Sequence, residues 1–153
     1  MKLIPKSWRS WDFTAFDGSH AVADFDISSW REKAILTVQG DQYSVYREGM
    51  MTGDFILQSV AGQELARAEK PSAFRRCFVI RHAGSSYTLR ATSMRQLTLF
   101  DGSREIGSIS PDGFFTRRAT VDLPDALPLP VRMFITWLAI ILWKRDSDTA
   151  IAC

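Results

Sequence analysis

From Trp8 to Val121 the chain reads as short apolar runs separated by glycine-containing turns. Ala21, Ala23, Phe25 and Ile27 alternate with Val22, Asp24 and Asp26. Tyr87, Leu89 and Ala91 alternate with Thr88 and Arg90, and Leu97 and Leu99 with Gln96 and Thr98. A period of two predicts strands with one face buried and one wet. Asp17-Gly18 and Asp101-Gly102 mark tight hairpins, since a type I′ turn needs positive φ at both central residues. Gly40-Asp41, Ala61-Gly62 and Ala83-Gly84-Ser85 are weaker signals of the same kind. About eleven strands result. Two hairpins, Asp54–Leu65 and Arg95–Ile106, echo one another without defining a repeat architecture.

The pattern changes at Leu123. Asp122 to Pro130 is punctuated by Pro124, Pro128 and Pro130 and cannot be helical throughout. Val131 to Trp143 is then almost wholly apolar, with Arg132 in the first turn and Lys144 and Arg145 at the negative end of the helix dipole. A helix apolar on every face needs apolar surroundings on all sides. Thirteen residues rise about 20 Å, short of a bilayer core of about 30 Å but close to the length of a strand. The two observations together predict an antiparallel β-barrel, of about eleven to twelve strands, enclosing a hydrophobic C-terminal α-helix at about 131–145. Small residues such as Ala21, Ala23, Ala66, Ala68 and Ala91 would leave room for Phe134, Trp137 and Trp143. Burial of eight large helix side chains amounts to about 12–24 kcal/mol as an upper bound, beside a net stability of about 5–15 kcal/mol. Residues 1–146 form one domain on this reading, and 147–153 a flexible tail.

Charge adds one feature. The net charge is only +2, which gives no argument for nucleic acid. Residues 61–121, however, hold ten basic and five acidic residues. Arg75-Arg76 and Arg117-Arg118 are the sharpest polar features, because guanidinium groups bind phosphate bidentately; a solvated barrel exterior is the plainer reading. The first aromatic group, Trp8, Trp11, Phe13 and Phe16, reads first as a strand packed on the core, and otherwise as a membrane-interface anchor or a partner surface.

Candidate chemistry is sparse. His20 and His82 are remote in sequence and suggest no metal site. Asp24 and Asp26 share a strand face, but no loop supplies further calcium ligands at recognisable spacing. No nucleophile elbow, Walker A loop or dinucleotide fingerprint occurs. No catalytic residues, metal or cofactor are expected. Cys77 reads as a buried free thiol and Cys153 as a mobile terminal one, which favours a reducing compartment. The N-terminus lacks the apolar run of a secretory signal.

Tyr87-Thr88-Leu89-Arg90, the hairpin Leu97 to Ile109 around Asp101-Gly102, Asp122-Leu123-Pro124 and the helix Val131 to Trp143 together resemble the tubby C-terminal-like superfamily, which includes the LURP-one-related proteins and the phospholipid scramblases. The likeness covers about residues 50–145. It implies a twelve-stranded barrel around a central hydrophobic helix and contact with anionic membrane phospholipid. No tubby headgroup-binding motif carries over residue by residue, and no scramblase-type calcium segment lies near the helix. The expected function is a non-enzymatic, cytoplasmic, peripheral-membrane binding domain. Arg75, Arg76, Arg117 and Arg118 are its candidate lipid contacts, together with Arg90, Lys144 and Arg145. The alternative is a scaffold barrel that binds another protein and has no lipid activity.

Overall fold

A computed structural model describes residues 1–27, 32–49, 53–71, 76–113 and 116–145. Twelve antiparallel strands run up and down around a closed barrel. They are β1 (Lys2–Pro5), β2 (Phe13–Asp17), β3 (His20–Ile27), β4 (Lys33–Val38), β5 (Asp41–Arg47) and β6 (Phe55–Ser59). Then follow β7 (Glu64–Glu69), β8 (Cys77–His82), β9 (Ser85–Ala91), β10 (Leu97–Asp101), β11 (Arg104–Pro111) and β12 (Ala119–Asp122). The single helix among the described residues, α1 (Leu129–Arg145), passes through the middle, and every residue from Met133 to Trp143 is buried. It starts two residues before the predicted Val131 because Pro130 fits the first turn, where no intrahelical N–H bond is needed. No helix among the described residues is long and apolar enough to cross a membrane.

The barrel repeats itself three times. Phe13, Phe55 and Leu97 open β2, β6 and β10 at equal intervals along the chain. Each of these strands pairs with the next across a bulge in which one apolar residue is left over: Val22, Leu65 and Ile106. All three left-over residues lie partly buried against the core, as a bulge that turns one side chain inward allows. The next two strands of each unit pair Ala34 with Val45, Phe78 with Leu89, and Ala119 with Leu3. In the first two units a hairpin joins these strands, with Gln39 and Ala83 at φ 51° and 48° before Gly40 and Gly84. In the third, β1 arrives from the opposite end of the chain and closes the barrel.

A bulge explains one departure from the expected inner face, at Ala21; Ala91 pairs with Leu97 without a register shift and packs against the core. Ala23, Ala66 and Ala68 are buried, but Ala21 is exposed and Ala91 only half-buried. The alternation that places Ala23 and Phe25 inside is broken at Val22, so Ala21 falls on the outer face. At Gly107, the counterpart of Ala23 and Ala66, a Cβ would lie 2.6 Å from the Asp122 carbonyl oxygen. Cys77 is buried as expected but is disulfide-bonded and not a free thiol, which removes the cysteines as an argument for a reducing compartment. Cys153, with the expected tail 147–153, lies outside the described residues.

The seam between β1 and β12 is held by polar contacts as well as by Leu3. The Met1 ammonium donates to the Val121 carbonyl and the Val121 N–H to the Met1 carbonyl, each at 2.8 Å. Asp112 accepts from Thr120 at 2.6 Å and pairs with Lys2 at 3.1 Å. The Thr120 hydroxyl, helped by Lys2 and Arg118, holds the Asp112 carboxyl below its ordinary range against the opposing effect of burial. A carboxylate with a depressed pKa stabilises the fold at pH values above its unfolded pKa of about 4, and the contribution disappears as pH falls through the lower folded value. Acid titration followed by far-ultraviolet circular dichroism should therefore show Asp112→Asn losing part of the wild-type dependence below about pH 4, with little effect on that slope at neutral pH.

Candidate functional site

In an up-and-down barrel alternate connections fall on the same rim. At one rim lie the tight turns 18–19, 39–40, 60–63, 83–84 and 102–103 together with the lead-in to α1. At the other lie the longer connections 6–12 and 92–96, the described ends of four more (residue 32; 48–49 and 53–54; 70–71 and 76; 112–113 and 116–118), and the end of α1. The turn rim is built from small and polar residues because type I′ geometry demands them. The loop rim has no such constraint, and its sequence is different in kind. Ser7-Trp8-Arg9, Met94-Arg95 and Thr116-Arg117-Arg118 set large apolar or hydroxyl residues beside arginine. Trp30-Arg31, Met50-Met51, Phe74-Arg75 and Phe114-Phe115 continue the pattern in sequence but lie outside the described residues.

The end of α1 occupies the centre of this rim. Successive helix residues point about 100° apart, so the last three reach different sides. Trp143 donates its indole N–H to the Arg95 carbonyl at 2.9 Å. Lys144 lies 5.8 Å from the Trp11 ring centroid. Arg145 pairs with Glu32 and sits 6.0 Å from the Phe55 ring. Burial lowers the pKa of both Lys144 and Arg145.

The arginines expected to face a headgroup divide into distinct roles. Arg75 lies outside the described residues. Arg76 is only 8 % exposed, and its Nη1 donates to the Met94 carbonyl at 2.8 Å. Arg117 donates from Nη1 to the Ser10 carbonyl at 2.5 Å and from Nη2 to the Ser7 and Trp8 carbonyls. Arg90 covers Phe100 on the outer wall, its guanidinium carbon 4.1 Å from the ring centroid. Arg118 is exposed on the loop rim. The candidate set therefore does not converge on one pocket. Arg76, Arg117, Arg118, Lys144 and Arg145 gather at the loop rim, and Arg90 stands apart on the wall.

Arg76 and Arg117 are equivalents in the repeat, each two residues before the inward residue of the paired strand, Phe78 or Ala119. Each grips the backbone of the neighbouring connection at its apolar tip, Met94 or Trp8. In the first unit Glu32 takes this place and binds Arg47 and Arg145 instead. Its carbonyl accepts from Arg47 N–H as that of Arg76 accepts from Ala91 N–H, which confirms the correspondence.

Carboxylates on the described connections of this rim are matched. Asp12 accepts the Ile27 N–H at 2.9 Å. Glu48 and Asp54 hold Arg67 at 2.8 and 2.9 Å, and with Glu64 they raise its pKa further. Glu32 and Asp112 are paired as described above. Elsewhere, Asp24 accepts from Thr14 at 2.8 Å and pairs with Lys6 at 3.0 Å; despite burial, these contacts lower its pKa. His82 Nδ1 lies 2.8 Å from the Leu65 carbonyl. No group of three or more metal-ligating side chains occurs among the described residues.

Sequence reasoning missed Met94 and treated Trp8 as part of one aromatic group. The structure splits that group: Phe13 is buried, Trp11 and Phe16 are half-buried, and Trp8 is 77 % exposed. Met94 is 74 % exposed. The legible signal was positional, since alternate connections of a meander share a rim. No family model matches the chain, and comparisons with curated proteins and with solved structures find no match.

Proposed function

We propose that this chain is a non-enzymatic binding domain that docks peripherally on anionic phospholipid through its loop rim. The observation that carries the reading is the composition of that rim: exposed apolar tips beside arginines, with its described carboxylates already paired. Each Lys or Arg held near an anionic leaflet contributes about 1 kcal/mol of attraction. Anionic lipid is concentrated on the cytoplasmic leaflet, which is the argument for a cytoplasmic location. A barrel with an enclosed apolar helix is also what the resemblance to the tubby C-terminal-like superfamily implies, and we place the chain there as part of the same proposal.

Vesicle flotation at about 0.1 M salt tests it. The chain should float with phosphatidylcholine vesicles containing phosphatidylserine or a phosphoinositide at least several-fold more than with phosphatidylcholine alone. Equal recovery with both would refute lipid recognition and favour a scaffold role.

A further inference from the structure

We infer that docking is end-on, with Trp8 and Met94 entering the boundary between headgroups and acyl chains while Arg9 and Arg118 stay at phosphate level. The inference rests on the anionic-membrane reading and adds to it an orientation, two wedge residues and an apolar component of binding.

Single exposed apolar side chains are ordinary on a protein surface. Trp8 and Met94 differ from that background in three respects. They occupy equivalent connections of the repeat, 6–12 and 92–96, and so face the same way at the same rim. The backbone carbonyl of each is held by an arginine, Arg117 for Trp8 and Arg76 for Met94, and the two arginines are themselves equivalents. The side chains nevertheless remain 77 % and 74 % exposed. Guanidinium groups turned inward to fix a loop, while its indole or thioether points into solvent, make a pre-ordered surface that loses little freedom on binding.

The chemistry of the surroundings fits a bilayer. Arg9 stacks on the Trp8 ring at 4.5 Å, placing an indole and a guanidinium together as an interface with one apolar and one anionic layer requires. The wedges are also spread around the rim. The 112–118 connection lies between theirs in the strand order, and the end of α1 fills the middle. A protein partner is usually held by a contiguous central cluster, whereas a fluid surface admits separate tips.

The opposite rim supplies an internal control. Val60, in the turn between β6 and β7, is 79 % exposed and points away from any membrane met by the loop rim. All three side chains are on the surface, so Trp8→Ser, Met94→Ser and Val60→Ser leave the core intact. Flotation with phosphatidylserine–phosphatidylcholine vesicles is measured for the full chain at about 0.1 and 0.5 M salt. The wild type should keep a measurable bound fraction at the higher salt. Trp8→Ser and Met94→Ser should each weaken partition about tenfold, in line with loss of one buried large apolar side chain, and Val60→Ser should match the wild type. Brominated acyl chains should quench wild-type tryptophan fluorescence, and Trp8→Phe should lose most of that quenching. Wild-type binding that is unaffected by Trp8→Ser and Met94→Ser, or weakened equally by Val60→Ser, overturns end-on insertion and leaves lipid recognition standing. Absence of wild-type binding to anionic vesicles overturns both.

Discussion

Trp137→Ala is expected to lower stability by about 3–5 kcal/mol, and a chain ending at Asp122 is expected to show no cooperative unfolding transition. Trp137 is fully buried at the centre of α1. Its ring meets Phe55 edge-on at 5.6 Å and stacks on Phe134 at 6.1 Å, and Phe55 in turn meets Phe78 edge-on at 5.3 Å. The site therefore ties the helix to two strands of the second unit, β6 and β8, and a hole there cannot be filled by one neighbour moving. The Trp137 indole N–H is buried without an acceptor among the described residues. Trp137→Phe removes that orphan donor along with part of the ring, and an unsatisfied buried donor costs about 1–3 kcal/mol. Phenylalanine should accordingly lose less than half of what alanine loses. Urea denaturation gives the comparison, through midpoint shifts at constant slope. A chain without α1 that melts cooperatively would mean that the barrel does not need its filling, and the account of the fold would fail with it.

The helix was legible because an apolar stretch with no wet face and too short for a bilayer calls for a protein interior, and the hairpins because Asp-Gly has one main use in a strand-rich chain. Inner-face assignment held at Ala23, Ala66 and Ala68 and failed at Ala21, since a bulge reverses every side chain beyond it and leaves no mark in composition. The threefold repeat was visible only as an echo between two hairpins. The remaining hairpin, Phe13 to Val22, has the same two-residue turn as the third unit but a different sequence within its strands, and the last strand of the third unit lies at the other end of the chain. The arginine pairs show a different limit. From sequence, Arg76 and Arg117 read as candidate phosphate contacts, whereas in the structure they donate to backbone carbonyls of connections remote in sequence, Met94 for the first and Ser7, Trp8 and Ser10 for the second. A carbonyl carries no sequence signature, so only the rim geometry identifies it.

The second large effect is expected at the strand that completes the third unit. Leu3, Val45 and Leu89 are equivalent, inward and fully buried, yet they are not equally tethered. Val45 and Leu89 are delivered by hairpins, whose closure is local and entropically cheap. Leu3 pairs with Ala119 across almost the whole chain, so its contacts must offset a far larger loop closure. Leu3→Asp places a charge where neither a partner nor water is available, and a buried unpaired charge costs about 3–5 kcal/mol. Release of β1 is the escape from that cost. It opens the barrel between β12 and β2 and bares two unpaired edges, which recruit other chains. Leu3→Asp should therefore give concentration-dependent scattering under conditions where the wild type stays clear. The milder Leu3→Ala and Leu89→Ala remove the same atoms at equivalent sites, about 2–5 kcal/mol each, but only the first should speed amide exchange selectively along Ala119–Asp122. Equal protection of β12 and β8 in Leu3→Ala would mean that the seam opens only with the whole barrel, and that the tether adds nothing to the order in which the three units come apart.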